Sequence, residues 1–169
     1  AYLHQYDVLE GLKKGGTFLL NCVWTPDELD EKLPANVKRY LAENDIDFYI
    51  INAVDVAVKV GLGPNRINMV TQSAFFKLAK VIDFDEAVKL IKAAIKKTYG
   101  KKGDEIVNMN CAAVDGAREA RHTVEVPASG QDAKAEPAAD DGRPAFIRNI
   151  VDPVNAQRGN KLPVSTFAG

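Results

Sequence analysis

The sequence has few of the side chains that bind metals or build redox centres. Its 169 residues include only two cysteines and two histidines. Cys22 and Cys111 are far apart and form no CxxC pair, so they cannot supply the four thiolates of an iron–sulfur cluster. His4 and His122 have no partner at metal-ligand or catalytic-triad spacing. We interpret the cysteines as buried free thiols and the histidines as surface residues.

The sequence also lacks an excess of charge of either sign and a long hydrophobic run. It has 22 Lys and Arg residues against 23 Asp and Glu residues, a net charge of −1 at pH 7. A nucleic-acid-binding surface needs concentrated basic residues, so this balance argues against one. No apolar run approaches the ~20 residues of a membrane span, and no signal peptide is visible. We expect a cytoplasmic protein that binds neither nucleic acid nor membrane.

The apolar residues that are present follow an alternation of strands and helices. Two short apolar runs, at residues 17–21 and 47–52, predict strands buried on both faces. Helices are predicted at residues 7–14, 25–33, 35–43, 53–60, 67–80, 84–99 and 103–120. Residues 123–127 predict a short edge strand. Because strands alternate with helices, we expect an α/β fold with a mostly parallel sheet and right-handed crossovers.

The pattern also predicts an incomplete, Rossmann-like domain. Two clear strands are too few for a full sheet, Ala1 stands where an initiator Met is expected, and the last residues carry no terminal signal. We expect the missing strands to precede Ala1. Residues 128–143 are rich in Ala, Gly, Asp and Pro, which is typical of a linker. The chain is therefore divided into a domain at 1–127, an extended linker at 128–145 and an arm, or the start of another domain, at 146–169.

The loop at residues 61–68 is the strongest candidate for a ligand contact. It leads into a predicted helix whose N-terminal N–H groups and dipole attract anions, and Arg66 adds a positive charge. It does not fit the dinucleotide fingerprint, because a helix rather than a strand precedes its glycines. Two interpretations remain open. Gly61 is only the left-handed cap of the preceding helix, or Arg66, Asn68 and the loop amides contact a phosphate.

Other charged clusters favour simpler interpretations. The basic run at 96–102 lies at a helix C-terminus, where cations complement the dipole; contact with a phosphate or a partner is the alternative. The acids at 27–31 predict a solvated face rather than a general-acid pair. No nucleophile–base pair is recognisable, so we predict no catalytic residue and no metal ligand in this chain.

Five stretches, spread over nearly the whole chain, together resemble one enzyme family. They are YDVLEGLKKGGTFLLN at 6–21, GLGPNRINMVTQSAFFKLAK at 61–80, KKTYGKKG at 96–103, NCAAVD at 110–115 and NAQRGNKLPVS at 155–165. In this order they resemble pyruvate:ferredoxin (flavodoxin) oxidoreductases. The chain is similar to an internal fragment, the later part of the gamma-subunit-like domain plus the link toward the iron–sulfur domain.

The resemblance implies a parent enzyme of anaerobic metabolism. Such a parent decarboxylates pyruvate with coenzyme A, giving acetyl-CoA, CO2 and reduced ferredoxin or flavodoxin. The resemblance further implies thiamine diphosphate, Mg²⁺ and [4Fe–4S] clusters on other domains, contacts with those domains, and a homodimeric parent. The isolated fragment is expected to be inactive, because it has no redox centre.

The resemblance also gives the glycine loop a ligand, because the gamma-type domain is associated with coenzyme A. It implies that Arg66 is a charge-assisted clamp on the coenzyme A phosphates, with Gly61, Gly63 and Asn68 assisting. The alternative is a non-catalytic structural or interaction domain with no ligand of its own. A free-standing nucleotide-binding α/β protein is a third hypothesis, but it needs a complete sheet.

Overall fold

A single mixed sheet of three strands organises the chain in the computed structural model, which describes residues 3, 6–124, 130 and 142–167. The strands, in spatial order, are β1 (Thr17–Asn21), β2 (Asp47–Ile51) and β3 (Arg121–Val124). β1 and β2 are parallel, with Thr17 opposite Asp47. β3 is antiparallel to β2, with Phe48 opposite Val124. The predicted α/β class and the parallel pairing of the first two strands are confirmed.

Helices fill both connections between the strands. Between β1 and β2 lie a 3-10 turn (Pro26–Glu28), α1 (Leu29–Lys32) and α2 (Ala35–Glu43). Between β2 and β3 lie α3 (Ala53–Lys59), α4 (Asn68–Ala79), α5 (Phe84–Tyr99), a 3-10 turn (Gly100–Lys102) and α6 (Asp104–Glu119). Each helix from α2 to α6 agrees with its prediction to within one residue at either end. The predicted edge strand is also present, although it begins at Arg121, and residues 125–127 lie outside the described part.

The helix predicted at residues 7–14 is wrong, because these residues form turns. Gly11 has a φ of 84°, in the left-handed region that a right-handed helix cannot include. The Leu12 N–H donates to the Leu9 oxygen at 3.0 Å, which closes a single turn. The apolar spacing that suggested a helix instead places Leu9 in the core, where its side chain is buried.

Alternation along the strands builds a separate core on each face of the sheet. Phe18 and Phe48 belong to one apolar cluster with α1 and α2, and their stacked rings have centroids 5.6 Å apart. Leu19 and Ile51 point into a second cluster formed with α3, α4 and α6. Because residues two apart share a face, β1 and β2 each contribute to both clusters, as expected for a sheet covered on both sides.

The helices α4, α5 and α6 pack together on the second face. Buried Ser73 of α4 donates its hydroxyl to the Val114 oxygen of α6 at 2.9 Å. Two ion pairs join α5 to α6, Lys92 with Asp115 at 2.7 Å and Arg118 with Asp85 at 2.8 Å. At the other end of α5, Tyr99 shares an apolar cluster with Met69, near the N-terminus of α4.

The described C-terminal residues are helical rather than extended. They form a π-helical turn (Ile147–Val151), α7 (Asp152–Asn155) and two 3-10 turns (Gly159–Lys161 and Val164–Phe167). Lys161 reaches the body of the domain and pairs with Glu10 at 2.8 Å, and its hydrogen bond lowers the pKa of that carboxyl. The predicted linker falls mainly outside the described residues, so the three-part division of the chain stays a prediction.

Candidate anion-binding site

The glycine loop begins with a helix cap. The Leu62 N–H donates to the Ala57 oxygen at 2.9 Å, and the Gly61 N–H donates to the Val58 oxygen at 3.0 Å. This pair of bonds is the Schellman motif that closes a helix C-terminus. Gly61 has a φ of 84°, and a Cβ there would lie 3.0 Å from the Met109 sulfur. The left-handed conformation favours glycine, and a Cβ would force the Met109 side chain to shift by a few tenths of an ångström.

The loop then enters α4 without a cap at the helix N-terminus. Ile67 occupies the N-cap position and offers no side-chain acceptor, and the first turn contains no acidic residue. The first N–H with a helical acceptor is that of Thr71, which donates to the Ile67 oxygen at 3.0 Å. The backbone N–H groups of Asn68, Met69 and Val70 have no acceptor among the described residues. The positive end of the helix dipole is therefore open.

A cavity of about 290 Å³ lies beside this open end. It is lined by Asn65, Arg66, Asn68, Met69, Tyr99, Lys102, Ile106 and Asn110. The first four residues belong to the loop and the start of α4. The others come from the end of α5, the 3-10 turn that follows it and the first turns of α6. Packing of α5 and α6 against α4 thus brings distant parts of the sequence to one site.

The charged side chains around the cavity are cations. Arg66 and Lys102 both line it, and neither has a salt-bridge partner within the described part of the chain. The Lys102 ammonium lies 5.7 Å from the centroid of the Tyr99 ring. Asp104 and Glu105 are in the first turn of α6, but their side chains do not line the cavity. The geometry therefore suits an anion attached to an apolar or aromatic group.

The inner wall of the cavity carries one buried polar side chain. Asn110 is only 6% exposed. Its Nδ2 donates to the Ile106 oxygen one turn earlier, at 2.8 Å. Its Oδ1 has no hydrogen-bond partner among the residues that the structure describes. A buried carbonyl oxygen without a donor is uncommon in a folded protein.

The structure brings together two of the four predicted site residues. Arg66 and Asn68 line the cavity, whereas Gly61 and Gly63 do not. Gly63 has a φ of 82°, and its oxygen accepts from the Arg66 N–H at 3.3 Å, so it shapes the turn that presents the arginine. Their roles toward a ligand remain predictions. The basic run at 96–102 was a signal for Lys102, while the stretch NCAAVD at 110–115 contained Asn110 without indicating a role for it.

A larger groove, of about 580 Å³, lies at the carboxyl ends of β1 and β2. Several of its polar groups already have partners. The Asn52 side chain caps α3 by accepting from the Asp55 N–H at 3.0 Å, and Lys59 pairs with Asp55 at 2.7 Å. The smaller cavity is the better candidate because its cations are unpaired among the described residues.

The thiols and histidines contribute little to either cavity. Cys22 and Cys111 are both free and half-buried, rather than fully buried as expected. Burial raises the pKa of the Cys22 thiol. His122 is exposed at the edge of the larger groove, and His4 lies outside the described residues.

Within the described ranges, no group of three or more His, Cys, Asp or Glu side chains could hold a metal ion, and no helix is long and apolar enough to span a membrane.

Comparisons with known proteins give the chain a family context. A family model described as pyruvate ferredoxin/flavodoxin oxidoreductase matches residues 1–120, and a model of a domain of unknown function, EKR, matches residues 132–169. The chain is 52% identical to a pyruvate:ferredoxin oxidoreductase of Moorella thermoacetica and 50% identical to a pyruvate-flavodoxin oxidoreductase of Enterobacter agglomerans. These alignments cover 99% and 100% of the chain but only 14% of each relative. A pyruvate dehydrogenase [NADP(+)] of Cryptosporidium parvum is 38% identical over 99% of the chain and 10% of its own length.

Proposed function

We propose that this chain, which belongs to the pyruvate ferredoxin/flavodoxin oxidoreductase family, is a segment of a pyruvate oxidoreductase and binds the phosphates of coenzyme A. One observation carries the ligand assignment. The uncapped N-terminus of α4 and the cations Arg66 and Lys102 converge on a single cavity. Coenzyme A is an acidic substrate with a pyrophosphate and a 3′-phosphate, so this surface matches its charge.

Each group at the cavity has a separate part in the proposed contact. The Arg66 guanidinium donates two parallel hydrogen bonds to phosphate oxygens, and Lys102 adds a mobile point charge. The free N–H groups at the start of α4 and the Asn68 carboxamide donate to the remaining oxygens. Gly61 and Gly63 act indirectly, because their left-handed conformations direct the loop that holds Arg66.

The proposed enzyme converts pyruvate and coenzyme A to acetyl-CoA and CO2, and passes the electrons to ferredoxin or flavodoxin. Thiamine diphosphate with Mg²⁺ and [4Fe–4S] clusters supply the decarboxylation and electron transfer from other domains of a homodimer. In this scheme the chain orients one substrate and contacts those domains, and it contains no catalytic residue. We also propose a cytoplasmic location, which fits the two free cysteines.

A structural role without a ligand is the second candidate, and exposed apolar residues favour it. Phe75, Val81 and Ile82, at the C-terminal end of α4 and in the loop after it, are 54%, 64% and 39% exposed. Such residues on a folded surface mark contacts with other protein. In this alternative the chain only packs domains together, and the cavity beside Arg66 binds nothing.

Calorimetric titration of coenzyme A into the intact protein separates the two candidates. Arg66→Ala is expected to weaken binding by about 1.5–3 kcal/mol, roughly tenfold to 150-fold, because a charged hydrogen bond is lost. Lys102→Gln is expected to weaken it less, because a flexible lysine makes no paired contact. Lys101→Gln is the matched control, since Lys101 is in the same 3-10 turn but does not line the cavity. Binding that is absent, or equal in wild type and Arg66→Ala, would support the structural role.

A further inference from the structure

We infer that Asn110 is a specificity-determining residue that reads an uncharged donor–acceptor group of the ligand, such as an amide or the edge of a purine. This inference rests on the proposed coenzyme A site. It concerns the neutral part of the ligand, whereas Arg66 and Lys102 concern the phosphates. Asn110 lies on α6, on the wall of the cavity formed by Tyr99, Met69 and Ile106.

The orientation of the Asn110 side chain follows from its one hydrogen bond. The Ile106 oxygen can only accept, so the atom facing it at 2.8 Å must be the nitrogen of the carboxamide. The carbonyl Oδ1 is therefore fixed on the other side of the group. One amide N–H and the two lone pairs of Oδ1 remain without a partner in the described structure. This is the donor–acceptor pair that asparagine uses to read adenine and amides.

The buried Asn110 side chain contributes little to the stability of the fold. In an α-helix the Ile106 oxygen already accepts the backbone N–H of residue 110, so the side-chain bond satisfies no otherwise unpaired group. The unpaired oxygen carries a desolvation penalty that an apolar residue would not have. A buried position of this kind favours leucine for stability and for helix propensity. A polar residue there is explained by a ligand that completes its hydrogen bonds.

The cavity walls restrict the group that Asn110 can meet. Met69 and Ile106 are apolar, and the half-buried Tyr99 presents an aromatic ring, so a flat neutral group is favoured over a second charge. Coenzyme A has two parts with this chemistry, its adenine ring and its pantetheine amides. Both offer a hydrogen-bond donor and an acceptor in the same molecule as the phosphates.

Calorimetry on the intact protein with Asn110→Leu tests the inference. We expect coenzyme A to bind about tenfold more weakly, because a donor–acceptor contact is lost while size and apolar packing are kept. Asn108→Leu is the matched control, since Asn108 is exposed on the same helix and does not line the cavity. We also expect the melting temperature of Asn110→Leu to equal or exceed that of the wild type. If Asn110 serves the fold alone, Asn110→Leu would leave the affinity unchanged and lower the melting temperature.

Two partial ligands identify the group that is read. If Asn110 reads adenine, Asn110→Leu weakens adenosine 3′,5′-bisphosphate and leaves 4′-phosphopantetheine unchanged; if it reads an amide of pantetheine, the effects are reversed. Wild-type affinity for coenzyme A in Asn110→Leu, with loss of affinity in Arg66→Ala, overturns this inference and leaves the proposed function standing. Absence of wild-type binding overturns the proposed function itself. If the leucine variant does not fold, Asn110→Ala is measured in its place, and unchanged affinity there has the same meaning.

Discussion

The helices α4 and α5 both pack on α6, yet their N-termini are built in opposite ways. α5 begins with a strong cap, because Asp83 Oδ1 accepts from the backbone N–H groups of Asp85 and Glu86 at 3.0 and 3.1 Å. Asp85 and Glu86 also place two carboxylates in its first turn. α4 has no side-chain cap and no acid in its first turn, and Arg66 stands just before it.

The difference follows from competition for the same backbone N–H groups. A capping carboxylate satisfies the donors that an external phosphate would need, and its charge repels the phosphate. The start of α5 is therefore stabilised and closed to anions. The start of α4 lacks a side-chain cap, which in other helices contributes about 1 kcal/mol to stability. An end without a cap is thus consistent with a ligand that supplies the missing acceptor.

The largest effect is expected from making α4 resemble α5, with Asn68→Asp. The new carboxylate would lie at the first position of the helix and in the cavity wall. We expect coenzyme A to bind about 2 kcal/mol more weakly, roughly thirtyfold, because a donor is replaced by a charge of the same sign as the phosphates. The free energy of unfolding should rise by about 0.3–1 kcal/mol, because the acid complements the helix dipole.

The control for Asn68→Asp is Gln72→Glu, which adds the same charge one turn later. Gln72 is exposed and does not line the cavity. Its effect on binding should be much smaller, because its charge lies outside the first turn and is screened by solvent. Calorimetry and chemical denaturation on both variants measure the two quantities. Equal affinity in wild type and Asn68→Asp would mean that the open end of α4 is not a phosphate site.

The converse change removes the cap from α5, with Asp83→Ala. Two hydrogen bonds to the first turn of a 16-residue helix are lost, so the free energy of unfolding should fall by about 1 kcal/mol. Coenzyme A affinity should not change, because Asp83 is outside the cavity. Asp83→Asn should cost less, since asparagine also accepts a capping hydrogen bond. A urea titration that finds the alanine variant as stable as the wild type would contradict the proposed stabilisation of α5 by the Asp83 cap.

These two helix ends also show which features of the structure can be predicted from the sequence alone. The Asp83 cap of α5 is a local feature of the sequence, because capping joins residues only two or three apart. Arg66 and Asn68 were predicted for the same reason, since a loop and the helix after it are read from neighbouring residues.

The rest of the site depends on contacts between distant residues. Tyr99, Lys102 and Asn110 reach the cavity only because α5 and α6 pack against α4, and no local pattern encodes that packing. The wrong prediction of a helix at residues 7–14 has a local cause instead. Leu9 and Leu12 have helical spacing, but Gly11 between them adopts a left-handed backbone conformation, which interrupts a helix.

The smallest effect in the comparison is expected at the 3-10 turn that precedes α1. Like α5, this turn has a carboxylate hydrogen-bonded at its start. Glu28 Oε2 accepts from the Thr25 N–H at 2.8 Å and from the Thr25 hydroxyl at 3.1 Å. These bonds, the backbone one first, lower the pKa of the Glu28 carboxyl. A carboxyl with a lowered pKa in the folded state stabilises the fold above its ordinary pKa. That contribution is lost as the pH falls through the lowered value.

Glu28→Gln isolates this contribution, because glutamine keeps an acceptor but never ionises. At neutral pH the variant should melt at a slightly lower temperature than the wild type, and the gap should close as the pH falls through the lowered pKa of Glu28. Glu10, whose pKa is lowered by Lys161, is left intact in both proteins and cancels in the difference. A gap that persists after Glu28 is protonated would show that the shape of the side chain, and not its charge, holds the turn. Hydrogen bonding alone would then explain the stability of this turn. It would give no support to the argument that charge distinguishes the starts of α4 and α5.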